Sequence, residues 1–324
     1  MSTTSVLNKS LPICNTDNLQ AIFTKPALTL YLSTALIACL IVIITIALNC
    51  TFLATMLFQS RMQRSISNKL LMTLSTTDLL IGILVWPLIA ATSFINYNVD
   101  IKCHLSNVTI FLGYHFVLVT LSTIFLVAVE QYLAIIHPYL YISQVTFHRL
   151  IYPMLISTSL LLLINMIVII TYKEFWLTYL QIFFVPIGVI IVGALIYMHK
   201  KIIECASRVA ANINNTNKEE GRQMKSRAKA AKSSLIILVG TLVCYLPIIC
   251  CNIYEKIFEQ TSYSVTFFSY PSHIIAMGTS VLDPVVYYWR LRSLRRATRD
   301  MFSSIRNIEN QVECVSKYTS STMH

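Results

Sequence analysis

The stretch Ser122–Tyr139, STIFLVAVEQYLAIIHPY, ends a long apolar run with the charged Glu130, followed by Gln131 and Tyr132. A carboxylate at the end of a membrane-length helix is costly unless it lies at the interface or has a partner, so such acids are usually functional. The whole chain is apolar: 56% of its 324 residues are hydrophobic, 12% are charged, and the mean hydropathy is +0.66. Soluble domains carry about 25% charged residues, so the composition indicates a membrane protein.

Seven apolar segments are distributed along the chain, and each reaches the roughly 20 residues that a helix needs to cross the hydrocarbon core. They are 27–58, 70–94, 108–129, 150–171, 175–198, 233–253 and 265–288. The sequence therefore predicts an all-α fold, a seven-transmembrane helix bundle. The predicted domains are a tail at 1–26, the transmembrane domain at 27–289, a short amphipathic eighth helix at 290–303 and a second tail at 304–324.

The net charge of +11 is carried on one side of the predicted bundle. The basic segments are 59–69, 138–149, 199–232 and 290–324, whereas the loops on the opposite side are together nearly neutral. Basic loops stay in the cytoplasm, so we predict a plasma-membrane protein with an extracellular N-terminus and a cytoplasmic C-terminus. Charge spread over membrane-flanking loops argues against nucleic-acid binding, and the basic amphipathic stretch 290–296 is expected to lie on lipid of the inner leaflet.

The opening stretch resembles the third helix and second cytoplasmic loop of rhodopsin-like G-protein-coupled receptors. These receptors read Asp/Glu-Arg-Tyr and then Pro-x-x-Tyr; here Gln131 replaces the arginine and Pro138 begins the second motif. Further family signatures follow in order: Asn49, Asp78, Cys244-Tyr245-Leu246-Pro247 for Cys-Trp-x-Pro, and Asp283-Pro284-Val285-Val286-Tyr287 for Asn/Asp-Pro-x-x-Tyr. The Asp-Pro-x-x-Tyr form and the short second extracellular loop also resemble the melanocortin, adenosine and lysophospholipid-like branches.

The resemblance implies a receptor and not an enzyme. In such receptors an extracellular ligand favours outward movement of helix six, which opens a cytoplasmic cavity for a heterotrimeric G protein, and arrestin is a further expected partner. The resemblance assigns the activation switch to Glu130, Gln131, Tyr132, Tyr197, Arg227, Tyr245, Pro247, Asp283, Pro284 and Tyr287. Arg227 stands where many relatives carry an acid, so we hypothesise that Glu130 pairs with Arg227 in the resting state.

Gln131 leaves other interpretations open. Glutamine keeps hydrogen-bonding capacity but lacks the charge of arginine. The alternative is therefore an atypical receptor of the same fold that binds ligand or recruits arrestin without a G protein. A seven-helix pump, transporter or enzyme would want a polar or metal-binding pathway through the bundle, and only Asp78 and Asp283 lie in its inner half.

The ligand pocket is expected in the outer half of the bundle, with candidates Gly113, Tyr114, Tyr245, Asn252, His273 and Met277. Gly113 stands where amine receptors carry an aspartate, and an alkylammonium ligand needs such an anion. A non-aminergic ligand is therefore predicted. Met277 stands where opsins have their retinal-binding lysine, which argues against a photoreceptor. Packing is the alternative role for Tyr114 and His273, and helix capping is the alternative for Asn252.

Asp78 is a carboxylate near the middle of a span, so it must be protonated, paired or bound to a cation. The resemblance implies a sodium site here, with further oxygens from Thr120 and Thr279 and a second carboxylate from Asp283. Two acids in one small cavity repel each other, so either one binds a proton or a cation neutralises the pair. No other cofactor is expected.

Three further features concern the surfaces of the protein. Cys14 and Cys103 are the cysteines predicted to be clearly extracellular, which makes them the obvious disulfide candidates, although spacing alone does not fix the pairing. Asn8-Lys9-Ser10 is a glycosylation sequon in the predicted extracellular tail. Cys314 is a candidate palmitoylation site in the predicted cytoplasmic tail.

Overall fold

The computed structural model describes residues 25–59, 62–95, 99–171, 176–211, 235–251, 253–254 and 263–321. Within these ranges the chain is helical and contains no strand, which confirms the predicted all-α fold. The helices are Lys25–Phe58, Ile66–Leu80, a π-helical turn at Ile81–Val85, Trp86–Phe94, Val99–Ile136, Pro138–Gln144, Phe147–Thr171, Trp176–Ala211, Leu235–Cys251, Tyr263–Met277, Thr279–Arg290 and Arg292–Ser321.

Five stretches of the described chain are long and apolar enough to cross a membrane. They are Leu32–Phe58, Ile66–Phe94, His104–Ile136, Phe147–Ile167 and Pro186–Cys205, which we call the first to fifth spans. Leu235–Cys251 is a shorter apolar helix in the predicted sixth span. The predicted seventh span contains two helices that meet at Gly278. The observed helices therefore coincide with the seven predicted segments, and the protein is a multi-pass membrane protein.

The interruption at Gly278 has a steric cause. Its N–H group bonds to the carbonyl oxygens of Ile274 at 2.9 Å and Ile275 at 3.2 Å, so the chain tightens at this point. A Cβ atom at Gly278 would lie 3.2 Å from the Ile275 oxygen and 3.3 Å from the Ile274 oxygen. Such contacts are tighter than most side chains tolerate, so a residue without Cβ suits this turn.

One half of the bundle, which we call the outer half because the sequence predicts that it faces the outside, packs around Trp86, which is fully buried. The π-helical turn Ile81–Val85 directly precedes Trp86. Pro87 follows Trp86, and because proline has no backbone N–H group it cannot donate a hydrogen bond to the preceding turn. The Trp86 indole donates a hydrogen bond to the Ser280 hydroxyl at 3.2 Å, joining the second and seventh spans. The apolar residues of this cluster are Ala38, Ile81, Val85, Trp86, Ile89, Ala90, Phe116 and Met277.

The inner half of the bundle has a second core that connects most of the described helices. Its buried members are Phe52, Met56, Leu74, Ile124, Ala128, Leu195, Met198, Ile237, Leu238, Tyr287 and Leu294. By contrast, Leu36 and Leu40 of the first span and Ile156 and Leu160 of the fourth are exposed. Exposed apolar faces on membrane-length helices are the faces that meet lipid.

The eighth helix, Arg292–Ser321, is much longer than the predicted 290–303, so residues 304–321, which the sequence predicts as tail, are helical. Its apolar residues continue at helical spacing past residue 303, at Ile305, Ile308 and Val312, which explains the longer helix. Its first turns are anchored to the bundle. Leu294 is fully buried, and the Arg295 guanidinium donates to the last carbonyls of the seventh span, a stabilising position for a cation.

Candidate transmembrane switch and ion site

Asn49 ties three spans together in the middle of the bundle. Its buried amide donates to the carbonyl oxygens of Thr45 and Ser280, both at 3.0 Å, and accepts a hydrogen bond from the Ser75 hydroxyl at 2.7 Å. Pro284 has no N–H to give to the Ser280 carbonyl four residues earlier. The Asn49 amide satisfies this carbonyl instead, so the proline of the seventh span and the asparagine of the first complement each other.

The two carboxylates of the predicted ion site, Asp78 and Asp283, lie close together in the bundle. Asp78, Thr120, Thr279 and Asp283 are all buried, and Asp78 and Asp283 are close enough to interact electrostatically. Both carboxylate oxygens of Asp78, one oxygen of Asp283 and the Thr120 hydroxyl have no hydrogen-bond partner within the described residues. The Thr279 hydroxyl donates to the Ala276 carbonyl at 3.2 Å and also interacts with the Tyr245 side chain.

Two more buried hydroxyl groups were not assigned to the ion site from the sequence: that of Thr241, and that of Tyr287, which was predicted only as a switch residue. The Thr241 and Tyr287 oxygens are also buried and lack a hydrogen-bond partner in the described part of the chain. Thr241 lies four residues before Tyr245 and so shares its helix face, a signal that was available in the sequence. Unpaired buried oxygens cost free energy, and a set of carboxylate and hydroxyl oxygens is the donor set that hard cations prefer. The donor types match those that a sodium ion takes, and sodium binding by these residues stays a prediction.

Glu130 accepts hydrogen bonds from two hydroxyl groups near the C-terminal end of the third span. Ser67, in the second span, donates to one of its carboxylate oxygens, and Tyr141, in the helix Pro138–Gln144, donates to the other at 2.8 Å. Arg227, the partner that the sequence predicts, lies outside the described residues. Sequence reasoning missed both hydroxyl partners; the one available signal is the Pro-x-x-Tyr motif, whose tyrosine is Tyr141.

We expect Tyr141→Phe to loosen the helix Pro138–Gln144, because it leaves one oxygen of the buried Glu130 carboxylate without its donor. A hydrogen bond to a charged group contributes roughly 1.5–3 kcal/mol, so amide hydrogen exchange in 138–144 should accelerate about tenfold or more. Tyr139→Phe is the matched control, since Tyr139 is 88% exposed. Equal exchange in both variants would show that the Tyr141 bond does not hold this helix.

The other predicted switch residues are spread over the inner half of the bundle. Gln131 is buried, Tyr132 is half-buried with its ring centroid 5.8 Å from that of His137, and Tyr287 packs on Phe52 with ring centroids 5.1 Å apart. Tyr197 is 56% exposed and so lies at the surface of the bundle in this conformation.

His199 is a buried polar residue in the second half of the fifth span. Its imidazole is buried, with Nδ1 2.9 Å from the Leu195 carbonyl oxygen. The motifs of the sequence predict Tyr197 as the switch residue at this helix end and do not indicate His199. Burial on a particular helix face depends on how the helices pack, which motif spacing does not give.

The predicted pocket residues do not all face one space. A Cβ atom on Gly113 would lie 3.7 Å from the Met277 methyl group, so the third and seventh spans meet there. Tyr114 instead packs beside Phe111 and Leu118, which contact the fourth and fifth spans. Tyr245 is buried and His273 is half-buried.

Several predictions fall on parts of the chain that the structure leaves undescribed. Asn8, Cys14 and Asn252 lie outside the described residues, and of Cys103 only the helical backbone is described. The disulfide, the glycosylation site and the role of Asn252 therefore stay predictions.

The fold and the site together define a class of protein: a polytopic helical membrane protein whose spans are joined by a buried layer of carboxylates, hydroxyls and amides. Residues 48–287, well over half of the chain, match the family "7 transmembrane receptor (rhodopsin family)". The protein therefore belongs to the rhodopsin family of seven-transmembrane receptors.

Individual relatives match over shorter stretches. The chain is similar to neuropeptide receptor 3 of Caenorhabditis elegans, with 24% identity over 104 residues, which is 31% of this chain and 27% of the relative. It is also similar to galanin receptor 2b of Danio rerio, with 34% identity over 92 residues, which is 26% of this chain and 24% of the relative. These matches span about a quarter of the length of each relative.

Proposed function

We propose that the protein is a plasma-membrane receptor that transmits the binding of an extracellular, non-aminergic ligand to a heterotrimeric G protein. Family membership supports this function. The observation that carries it is the buried layer around Asp78 and Asp283. Carboxylate oxygens in this layer have no hydrogen-bond partner among the described residues, so burying them raises the free energy of the described conformation. Such a layer suits a protein that exchanges between two conformations.

The ligand belongs to a class that does not require a buried anion in the third span. Gly113 faces the Met277 thioether, which offers no charge for an ammonium group. Two relatives are named as a neuropeptide receptor and a galanin receptor. We therefore place a neuropeptide first among the ligand classes to be tested, with the N-terminal tail outside the cell.

The proposed mechanism is a population shift in which bound ligand favours a conformer with the sixth span moved outward. Pro247 leaves a carbonyl of the preceding turn without a backbone donor, which permits bending. Below it, Ile237 and Leu238 pack in the inner core beside Tyr287, so outward movement removes these contacts. In the structure, the Glu130 carboxylate accepts hydrogen bonds from the Ser67 and Tyr141 hydroxyl groups.

A second function follows from Gln131, which is buried and uncharged. A receptor that lacks the arginine at this position could recruit arrestin or retain ligand without activating a G protein. Both functions share ligand binding and differ in the cytoplasmic partner.

The experiment that separates them records G-protein dissociation and arrestin recruitment in the same cells while a neuropeptide collection is applied. The proposed function predicts that an active peptide dissociates at least one G protein. Arrestin recruitment by an active peptide, with no G protein responding, would instead establish the atypical receptor.

A further inference from the structure

Three polar side chains in the outer half of the bundle, away from the candidate ion site, have buried atoms that lack a hydrogen-bond partner among the described residues. These atoms are the Asn107 side-chain oxygen, the His115 Nδ1 atom and the Asn165 side-chain nitrogen. Asn165 is only 2% exposed, whereas its neighbours Ile164 and Met166 are exposed, so the Asn165 side chain lies inside the bundle. A buried polar atom without a partner costs free energy, and a group that supplies the partner therefore binds favourably.

Asn107 and His115 lie on the face of the third span that packs against the fourth and fifth spans. Phe111 and Leu118 define this face, because their buried side chains pack against residues of both neighbouring spans. His115 lies four residues after Phe111 and three before Leu118, and Asn107 lies four residues before Phe111. These spacings place the four side chains on one side of the helix.

Asn165 approaches the same interface from the fourth span. The Thr123 hydroxyl of the third span lies 3.6 Å from the Met154 sulfur of the fourth, and the two spans run in opposite directions. Asn165 follows Met154 by eleven residues, which is about three turns, so it shares the face that contacts the third span. Phe111 lies twelve residues from Thr123 in the same outward direction. Asn165 is therefore about level with Phe111 and one turn outward of His115.

Peptide bonds are the chemical groups that suit this set of atoms. The Asn107 oxygen accepts a hydrogen bond, the Asn165 nitrogen donates one, and the role of the His115 nitrogen depends on its tautomer. Each peptide residue other than proline carries one N–H donor and one carbonyl acceptor. A hydrocarbon chain would leave all three atoms unpaired, and an alkylammonium group needs an anion, which none of the three residues supplies at neutral pH.

We propose that Asn107, His115 and Asn165 form a subsite for backbone amide groups of a peptide ligand, where the third span meets the fourth and fifth. This inference rests on the proposed function, because it concerns the extracellular ligand. The subsite lies on a different side of the third span from Gly113, which faces Met277. From Asn107 to His115 the helix rises about 12 Å, a length that roughly four residues of extended peptide cover.

The test measures binding of N-acetyl-leucinamide, a probe with two amide groups and one apolar side chain, to the full-length protein in lipid nanodiscs. Saturation-transfer NMR over a range of probe concentrations gives the apparent affinity, and empty nanodiscs correct for uptake by lipid. The variant Asn165→Leu removes the buried donor and keeps the branched shape of the side chain. Asn310→Leu, the same change at an exposed position of the eighth helix, is the matched control.

We expect Asn165→Leu to weaken the apparent affinity of the probe about fivefold, the factor that one hydrogen bond typically contributes. Asn310→Leu should bind the probe as the wild type does. Equal affinity in the wild type and Asn165→Leu would overturn the proposal, and so would a wild type that binds no more probe than empty nanodiscs. No G protein takes part in this measurement, so its outcome is independent of whether the receptor activates one.

A thermal melt and a second variant separate the lost donor from a disturbed bundle. Removal of a buried amide that has no partner should leave the Tm of Asn165→Leu at or above that of the wild type. His115→Phe removes another atom of the subsite and keeps an aromatic ring, and it should also weaken the probe severalfold. Wild-type affinity in His115→Phe, or a weaker affinity in Asn165→Leu that is matched by Asn310→Leu, would contradict the subsite.

Discussion

Replacing Asp78 with asparagine should abolish the dependence of thermal stability on sodium. In the wild type, the buried carboxylates of Asp78 and Asp283 have oxygens without partners among the described residues, and we propose that a bound sodium ion offsets their repulsion. At a sodium concentration about ten times the dissociation constant, linkage contributes about 1.4 kcal/mol. The apparent Tm should then rise by roughly 3–5 °C when sodium replaces choline.

The matched control is Asp300→Asn, which makes the same chemical change on the exposed surface of the eighth helix. This variant should keep the sodium response of the wild type, whereas Asp78→Asn should melt at the same temperature in sodium and choline. A wild-type Tm that is indifferent to sodium would rule out the cation site. A proton shared by Asp78 and Asp283 would then be the remaining way to relieve their repulsion.

Truncating Trp86 to alanine should cause a large loss of stability. The Trp86 side chain is fully buried, packs in the outer core and donates to Ser280. Removal of a buried aromatic side chain costs about 3–5 kcal/mol, mostly through the cavity that it leaves. A fall in apparent Tm of roughly 5–10 °C is therefore expected in a thermal melt of the solubilised protein.

Trp289→Ala is the control for this measurement, because Trp289 is 65% exposed. Its removal should change the Tm by a small fraction of the Trp86 effect. A Trp86 variant that melts with the wild type would show that the contact between the second and seventh spans is not a main source of stability.

The sequence predicted the spans well because hydrophobic length is a strong and local signal. It failed at the end of the eighth helix: the stretch after residue 303 is polar on average, and the apolar residues Ile305, Ile308 and Val312 were not recognised as a helical stripe. A periodic face inside a polar segment is visible only when spacing is considered together with composition.

The candidate site was predicted only in part, because motif spacing does not show which distant residues the packing of the spans brings together. Motif spacing identified Asp78 and Asp283, which the fold brings together across the bundle. It did not identify Ser67 as a partner of Glu130, because 63 residues separate them and only the packing of the second span on the third brings them together. Hydroxyl groups can also satisfy a carboxylate, and the predicted pairing of Glu130 with Arg227 stays a prediction.

The most direct test of the proposed function is G-protein dissociation measured across a panel of G proteins, in cells that express the wild type or Gln131→Arg at matched surface levels. We predict basal or peptide-stimulated dissociation with the wild type, which would show that glutamine is sufficient at this position. A wild type that is silent towards every G protein, beside a Gln131→Arg variant that is active, would contradict the proposed function and identify an uncoupled receptor.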